Sequence, residues 1–209
     1  MQQQNNTLQI ELVNIGKRYH NQWLFRHINL SLQTGDRLSV TGRNGSGKST
    51  LMQIIYGLIQ ASEGELRIDG NQVFDAHRIF ALTSPYMELP VEFSIRELHD
   101  LYLKTGKIST PLTAFLEYSA FSSVQSERPV KLFSSGMLQR LKTALCLCSD
   151  APVLLLDEPL SNMDREGEIW YKNCVANIQD RICIVAGNNP EEYAFTKSNL
   201  HIGNISQQL

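Results

Sequence analysis

The chain has 209 residues, 42% of them hydrophobic, and its 19 lysines and arginines nearly balance 21 acidic residues, for a formal charge of −2. This size and composition suit one compact domain, and the charge offers no basic excess for nucleic-acid binding. The start, MQQQNNTLQIEL, lacks the basic and apolar regions of a signal peptide, and apolar runs such as ALCLC fall far short of the roughly 20 residues of a membrane span. We therefore expect a soluble protein that reaches a membrane only through a partner.

The first third of the chain has strand-like patterns followed by one helix. Apolar and polar residues alternate at residues 8–12 and 28–32, which predicts two half-buried strands. The segment RLSVT at residues 37–41 predicts a buried strand. Apolar residues at helical spacing predict a helix at residues 49–59, and a further strand is predicted at residues 65–68.

A glycine-rich segment, GRNGSGKST at residues 42–50, lies between the predicted strand and helix and fits the pattern G-x-x-x-x-G-K-[ST]. Its glycines allow a tight turn whose N–H groups surround an anion at a helix N-terminus. Lys48 can reach the β- and γ-phosphates, and the Ser49 hydroxyl can bind Mg²⁺. The alternative, a glycine-rich turn that matches by chance, is disfavoured by the strand before it and the helix after it. The predicted nucleotide-binding residues in this segment are Gly42, Asn44, Gly45, Ser46, Gly47, Lys48, Ser49 and Thr50.

The rest of the chain changes from a helical pattern back to strands. Helical spacing extends over about residues 94–149, and solid apolar runs at residues 153–156 and 182–186 predict buried parallel strands. This order indicates an α/β core with a helical insertion. The side chains predicted to share one helical face are Ile95, Leu98, Leu101 and Tyr102. The expected division is a core lobe at about residues 1–85 and 150–209, and a helical subdomain at about residues 86–149.

Two acids, Asp157 and Glu158, end the first of these apolar runs. Ligands of open parallel sheets bind at the carboxyl ends of the strands. Asp157 is therefore predicted to hold Mg²⁺, and Glu158 to orient and polarise the attacking water. The alternative is a solvated acidic turn, which the nearby phosphate loop disfavours.

Together these residues resemble the ABC-type ATPase family along essentially the whole chain, and more loosely the ATP-binding subunit of the cytochrome c haem exporter. The family signature L-S-G-G-Q is matched by FSSGM at residues 133–137, upstream of the strand that ends at Asp157. The D-loop is matched by SNMD at residues 161–164, which includes Asp164. The aromatic residue that stacks on adenine in this family falls on Tyr19.

This resemblance implies an α/β fold with a P-loop NTPase core, an antiparallel β subdomain and an inserted helical subdomain. It also implies ATP and Mg²⁺ as ligands, and two domains that sandwich two ATP molecules. Each ATP would be capped in trans by the signature residues Ser134, Ser135, Gly136 and Met137. The implied partners are a second ABC ATPase domain, as a homodimer, and a separate membrane permease. The chain would then be cytoplasmic and bound to the inner membrane through the permease, with no nucleic acid and no membrane insertion of its own.

The sequence departs from the family pattern in the signature, where Phe133, Ser135 and Met137 differ and Ser134 and Gly136 remain, and at two further functional positions. Tyr86 stands where the Q-loop glutamine belongs, and Asn188 stands where the switch histidine belongs. An amide can donate a hydrogen bond to a γ-phosphate but carries no charge. We therefore expect slow but measurable hydrolysis by Glu158, Lys48 and Asn188. The alternative is that Asn188 is only a turn residue before Pro190.

Three functions are compatible with these motifs. The first is the ATP-hydrolysing motor subunit of a transporter, and the second is a weakly hydrolysing ATP-binding switch or degenerate partner domain. The third is a soluble ABC protein of translation or DNA repair, disfavoured by the single P-loop and the lack of basic excess. In the first case the permease would dock on the apolar-rich segment at residues 86–94, although these side chains could instead bury the joint between the two lobes.

The cysteines and histidines have no metal-ligand spacing. The cysteines, Cys146, Cys148, Cys174 and Cys183, are expected to be reduced and structural. The histidines, His20, His27, His77, His99 and His201, are expected to be ordinary core or surface residues.

Overall fold

The computed structural model describes residues 7–72 and 79–203, so the extreme N-terminus and His77 lie outside the described residues. The strands are β1 (Gln9–Tyr19), β2 (Gln22–Gln33), β3 (Arg37–Thr41), β4 (Glu63–Ile68), β5 (Asn71–Gln72), β6 (Phe80–Thr83), β7 (Val153–Asp157), β8 (Ile182–Ala186) and β9 (Ser198–His201). The helices are α1 (Lys48–Tyr56), α2 (Ile95–Lys104), α3 (Leu112–Ser119), α4 (Ser123–Ser126), α5 (Ser135–Leu147), α6 (Arg165–Ala176) and α7 (Pro190–Tyr193), with a short 3-10 helix at Val130–Leu132.

The strands form two sheets of different kinds. The order β2-β1-β4-β5 makes an antiparallel sheet, whose β1–β2 hairpin closes where Tyr19 pairs with Gln22. The order β6-β7-β8-β3-β9 makes a parallel sheet. Because parallel strands end at the same edge, the loops after β3, β6, β7 and β8 converge there.

Buried side chains of β7 alternate between two apolar cores. Val153 and Leu155 face the core that includes α1 and the antiparallel sheet, whereas Leu154 and Leu156 face the core that includes α6. This alternation explains why the strand is apolar at every position, since both of its faces are covered. A third core lies among α2, α3 and α5.

Three details differ from the sequence-based expectation. The first helix ends at Tyr56 because Gly57 adopts a φ of 88° and its N–H bonds back to Gln53 and Ile54 carbonyls, which stops the helix before residue 59. The next strand begins at Glu63. Leu101 does not share the buried face of α2, since its side chain is 40% exposed while Ile95 and Leu98 are buried.

No helix in the described part of the chain is long and apolar enough to cross a membrane. The thiols of Cys146 and Cys183 are fully buried, and this burial raises the pKa of Cys183 to about 12. Such thiols stay protonated and act as small apolar side chains.

Candidate functional site

The phosphate loop runs from β3 into α1, and its glycines hold a conformation that other residues rarely adopt. Gly42, Gly45 and Gly47 have φ angles of 150°, 78° and 104°. A Cβ on Gly47 would lie 2.7 Å from the Leu24 side chain, and a Cβ on Gly42 would lie 2.4 Å from the Ile202 carbonyl oxygen. Gly42 and Gly47 are therefore needed for space as well as for backbone conformation, as a loop that closes around an anion requires.

Two buried polar groups of this loop fit the oxygens of a phosphate. Lys48 is 5% exposed, and its Nζ donates to the carbonyl oxygens of Gly42 at 3.0 Å and Arg43 at 3.4 Å. Ser46 is buried, and its hydroxyl has no hydrogen-bond partner among the described residues. A buried ammonium beside carbonyl oxygens and an unpaired buried hydroxyl are groups that an anionic ligand would satisfy.

Asp157 ends β7 directly beside this loop and is 1% exposed. Its Oδ1 accepts a hydrogen bond from the Ser49 hydroxyl at 3.0 Å, and its Oδ2 accepts one from the Ser84 hydroxyl at 3.2 Å. Burial raises the pKa of Asp157 to about 6, against the opposing effect of those two hydrogen bonds. Hydroxyl and carboxylate oxygens this close together suit Mg²⁺, and a cation there would favour the charged carboxylate.

Glu158 is held by the backbone rather than by a side-chain partner. It has a φ of 45°, an unusual value for glutamate, and its N–H donates to the Ala186 carbonyl at the end of β8 over 2.8 Å. With Asn44 and Asn188 it lines a cavity of about 260 Å³. A non-glycine residue kept in this sparsely populated conformation is a common feature of functional sites, because the surrounding structure must hold it there.

Asn188, which follows β8, lies against the phosphate loop. Its Nδ2 donates to Asn44 Oδ1 at 2.5 Å. The neighbouring Asn189, rather than Asn188, caps α7, since its side chain accepts from the Glu191 N–H at 3.1 Å. Capping of α7 therefore does not require Asn188, and its alternative role as a turn residue before Pro190 stays a prediction.

The signature residues form the exposed start of α5. Ser134 is the N-cap, and its Oγ accepts from the Met137 N–H at 3.2 Å, which leaves its own proton free to donate. Ser134 and Ser135 are exposed. Gly136 lies against the D-loop, since a Cβ there would approach the Asn162 carbonyl oxygen to 2.7 Å. Asp164, in the D-loop, caps α6 by accepting from the Gly167 N–H at 2.8 Å.

The two predicted aromatic positions are both exposed. The Tyr19 side chain, at the end of β1, is 48% exposed, and the Lys17 ammonium lies 5.1 Å from its ring centroid. The β2 side chains of Leu24 and Phe25 pack against Gly47, so the antiparallel sheet that carries Tyr19 lies against the phosphate loop. Tyr86 is 80% exposed, and its backbone N–H bonds to the Ser84 hydroxyl at 3.4 Å.

Sequence reasoning missed two polar residues of the site, Ser84 and Glu192. Ser84 directly follows β6, which neighbours β7, so its position at the sheet edge was a usable signal. Glu192 is buried in the same cavity as Glu158 and Asn188. Nothing in the sequence separates Glu192 from its exposed neighbour Glu191, because both are acids in the first turn of a short helix.

Comparisons with known proteins agree on one family. The family model for "ABC transporter" matches residues 25–161. The aliphatic sulfonates import ATP-binding protein SsuB of Bacillus cereus is 36% identical over 168 residues, which cover 76% of this chain and 63% of the relative. The ribosome protection protein VmlR of Bacillus subtilis is 27% identical over 202 residues, which cover 96% of this chain and 36% of the relative. This chain therefore spans only part of the length of both relatives.

The fold matches solved ATP-binding cassettes. A dimeric post-hydrolysis state of the cassette MJ0796, bound to ADP and Pi, superposes with a TM-score of 0.81 at 18% sequence identity. The superposition covers 92% of this chain and 94% of that structure. This likeness confirms the predicted α/β fold with its parallel core sheet and its antiparallel sheet.

Proposed function

This chain belongs to the ABC transporter family of ATPases, and we propose that it is the ATP-hydrolysing motor subunit that dimerises around ATP and drives a separate permease. The matching family model confirms the family resemblance inferred from the sequence motifs. One observation carries the proposal most strongly: Asp157 at the end of β7 and Asn188 after β8 both contact the phosphate loop that contains Lys48. We further propose that the chain forms a single domain with a core lobe and a helical subdomain.

The site residues would divide the reaction among them. The loop N–H groups and Lys48 bind the phosphates, and Lys48 exchanges its carbonyl partners for phosphate oxygens. Ser49 and Asp157 would hold Mg²⁺, which supplies charge neutralisation on the phosphate oxygens. Glu158 orients the attacking water and accepts its proton, while the Asn188 amide donates to the γ-phosphate. Tyr19 offers its half-exposed ring to the adenine.

The signature residues would act on the ATP of a second copy. Ser134 already accepts the hydrogen bond that caps α5, so its hydroxyl proton is available for a γ-phosphate oxygen. The exposed N–H groups at the start of α5 add the positive end of the helix dipole. Contact between Gly136 and the D-loop places this surface beside the segment that follows Glu158.

The permease would dock on the exposed part of residues 86–94, and the structure supports a division of this segment. Met87 and Leu89 pack into the cores and line a cavity of about 580 Å³ at the joint. Tyr86, Val91 and Phe93 are exposed by 80%, 50% and 38%. The alternative role, burial of the joint between the core lobe and the helical subdomain, thus suits Met87 and Leu89. The exposed side chains of Tyr86, Val91 and Phe93 are available to a partner.

A nucleotide-binding experiment tests the proposal. Lys48→Ala should weaken Mg-ATP binding at least about tenfold in calorimetry, because several charge-assisted hydrogen bonds are lost. Lys104→Ala, which removes an exposed lysine from the last turn of α2, is the matched control and should bind as wild type does. Equal affinities of Lys48→Ala and wild type would overturn the assignment of the nucleotide site.

A second candidate function rests on the VmlR resemblance, which covers nearly the whole chain. In that case the chain would act on ribosomes rather than on a permease. The charge of −2 gives this candidate less support. Sedimentation separates the two, since the proposed motor subunit should pellet with membranes and the alternative with ribosomes.

A further inference from the structure

Glu192 is a buried acid in the site for which the reaction described above has no use. Glu192 lines the same cavity as Glu158 and Asn188, and it is 4% exposed. Its Oε2 accepts from the Asn189 N–H at 3.2 Å, and its Oε1 accepts from the Leu160 N–H at 3.4 Å. Burial raises the pKa of Glu192, and these backbone donors oppose that effect.

The two backbone groups belong to the two segments that carry the reacting side chains. Asn189 directly follows Asn188, and Leu160 lies two residues after Glu158 in the turn that leads to the D-loop. We propose that Glu192 is a positioning residue, whose single carboxylate fixes the Asn188 loop and the Glu158 turn relative to each other. This inference rests on the proposed ATPase function and assigns no contact between Glu192 and ATP.

A carboxylate is the side chain that this geometry requires. Each of its oxygens accepts one backbone N–H, whereas a glutamine offers one acceptor and would point an NH₂ group at the other N–H. The loop that carries Asn188 also packs closely against the Glu192 carboxylate, because a Cβ on Gly187 would lie 1.9 Å from Glu192 Oε2. Replacement of the carboxylate by an amide should therefore leave one buried donor unpaired and loosen one of the two segments.

The backbone of α7 at Glu192 is held by a hydrogen bond that does not involve the Glu192 side chain. The hydroxyl of the buried Tyr171 donates to the Glu192 carbonyl oxygen at 2.7 Å. Glu192→Gln should therefore keep α7 folded while it changes the side-chain contacts. The adjacent Glu191 is exposed and pairs with Lys172, so Glu191→Gln removes a charge from the same helix without touching either segment.

Steady-state kinetics of wild type, Glu192→Gln, Glu191→Gln, Asn188→Ala and the double variant Asn188→Ala/Glu192→Gln test the proposal. Glu192→Gln should lower kcat about tenfold through the loosened segment, while ATP affinity changes little and Tm falls by only a few degrees for the unpaired donor. Glu191→Gln should stay within about twofold of wild type. If Glu192 acts through Asn188, the double variant should be less impaired than the product of the two single effects.

Amide hydrogen exchange gives a second readout that needs no hydrolysis. In Glu192→Gln, the Leu160 or Asn189 N–H should exchange faster than in wild type and in Glu191→Gln. Wild-type kcat in Glu192→Gln, unchanged exchange at both groups, or a loss of kcat that only follows a lower Tm would overturn the positioning role. A wild-type rate in Asn188→Ala would instead count against the proposed role of Asn188. If the wild-type chain itself hydrolysed no ATP, the proposed function and this inference would both fall.

Discussion

At the residue scale, the most informative position is Asn188, where an amide faces the phosphate loop in place of an ionisable ring. Its contact with Asn44 shows that it can reach the loop, while the neighbouring Asn189 caps α7. A neutral donor forms a weaker hydrogen bond to a phosphate than a charged donor, by about 1 kcal/mol. Turnover should therefore be slow, and it should respond to the donor at this position.

Substitutions at Asn188 test this donor role. Asn188→Ala should lower kcat about tenfold through the lost hydrogen bond, and Asn188→His should leave kcat equal or raise it by up to about fivefold. ATPase assays of these variants provide the measurement, with Asn173→Ala on the exposed face of α6 as the control. A wild-type rate in Asn188→Ala would mean that this amide senses no phosphate and that hydrolysis proceeds without it.

Individual residues also show which parts of the site the sequence could predict. Lys48, Ser49 and Asp157 were predictable because a short motif and an apolar strand fix their places at the sheet edge. Glu192 was not predictable, because its burial depends on how α7 packs against α6 and β8. Two adjacent acids in a sequence do not indicate which of them is buried by that packing. Ser84 is an intermediate case, since its contact with Asp157 requires the strand order β6-β7.

At the element scale, α5 links several parts of the site. It begins at the signature, and the Gln139 Nε2 contacts the carbonyl oxygens of Glu158 and Pro159, both at 3.5 Å. Further along, the buried Lys142 donates to the Pro85 carbonyl at 2.9 Å, and burial lowers its pKa. One rigid helix thus contacts the turn at Glu158 and the segment that carries Tyr86.

The presence of helices and strands was predicted better than the residues at which they begin and end. The apolar runs at β7 and β8 located both strands because strands covered on two faces need uninterrupted apolar sequence. The end of α1 was placed too late, because the pattern of apolar residues continues past Gly57, where the backbone reverses. The spacing groups Leu101 with Ile95 and Leu98 on one face of α2, but only tertiary contacts decide which apolar side chains of a helix remain exposed.

The exposed side chains of residues 86–94 lead to a prediction about docking. Phe93→Asp should abolish co-sedimentation of the chain with washed membranes, because a charge would be buried in the proposed apolar contact. ATP binding should survive, since Phe93 lies outside the phosphate loop. Ile169→Asp, which places the same charge on an exposed apolar residue of α6, is the control and should still sediment with membranes.

The outcome also decides between the two candidate functions. Retained membrane association in Phe93→Asp would move the interface elsewhere on the surface. Sedimentation of the wild-type chain with ribosomes, and not with membranes, would favour the function suggested by the VmlR resemblance. Met87 is unsuitable for this test because it packs against the core, so a charge there would disturb folding as well as docking.

At the scale of the whole molecule, the proposed phosphate-binding residues and the proposed signature residues belong to different elements of the chain. The phosphate loop, Asp157 and Glu158 lie at the edge of the parallel sheet, whereas the exposed signature residues lie at the start of α5. A signature that acts on phosphate in trans would explain why Ser134 and Ser135 are exposed and why the Ser134 hydroxyl proton remains available. The central claim is therefore that ATP joins two copies of this chain.

Size-exclusion chromatography of Glu158→Gln with Mg-ATP tests that claim most directly. The amide keeps the shape of the carboxylate but cannot accept a proton from the attacking water, so hydrolysis should stop while binding continues. We expect this variant to elute as a dimer with ATP and as a monomer without it, and Lys48→Ala/Glu158→Gln to stay monomeric in both conditions. A Glu158→Gln variant that stays monomeric with ATP and hydrolyses it at the wild-type rate would contradict the account.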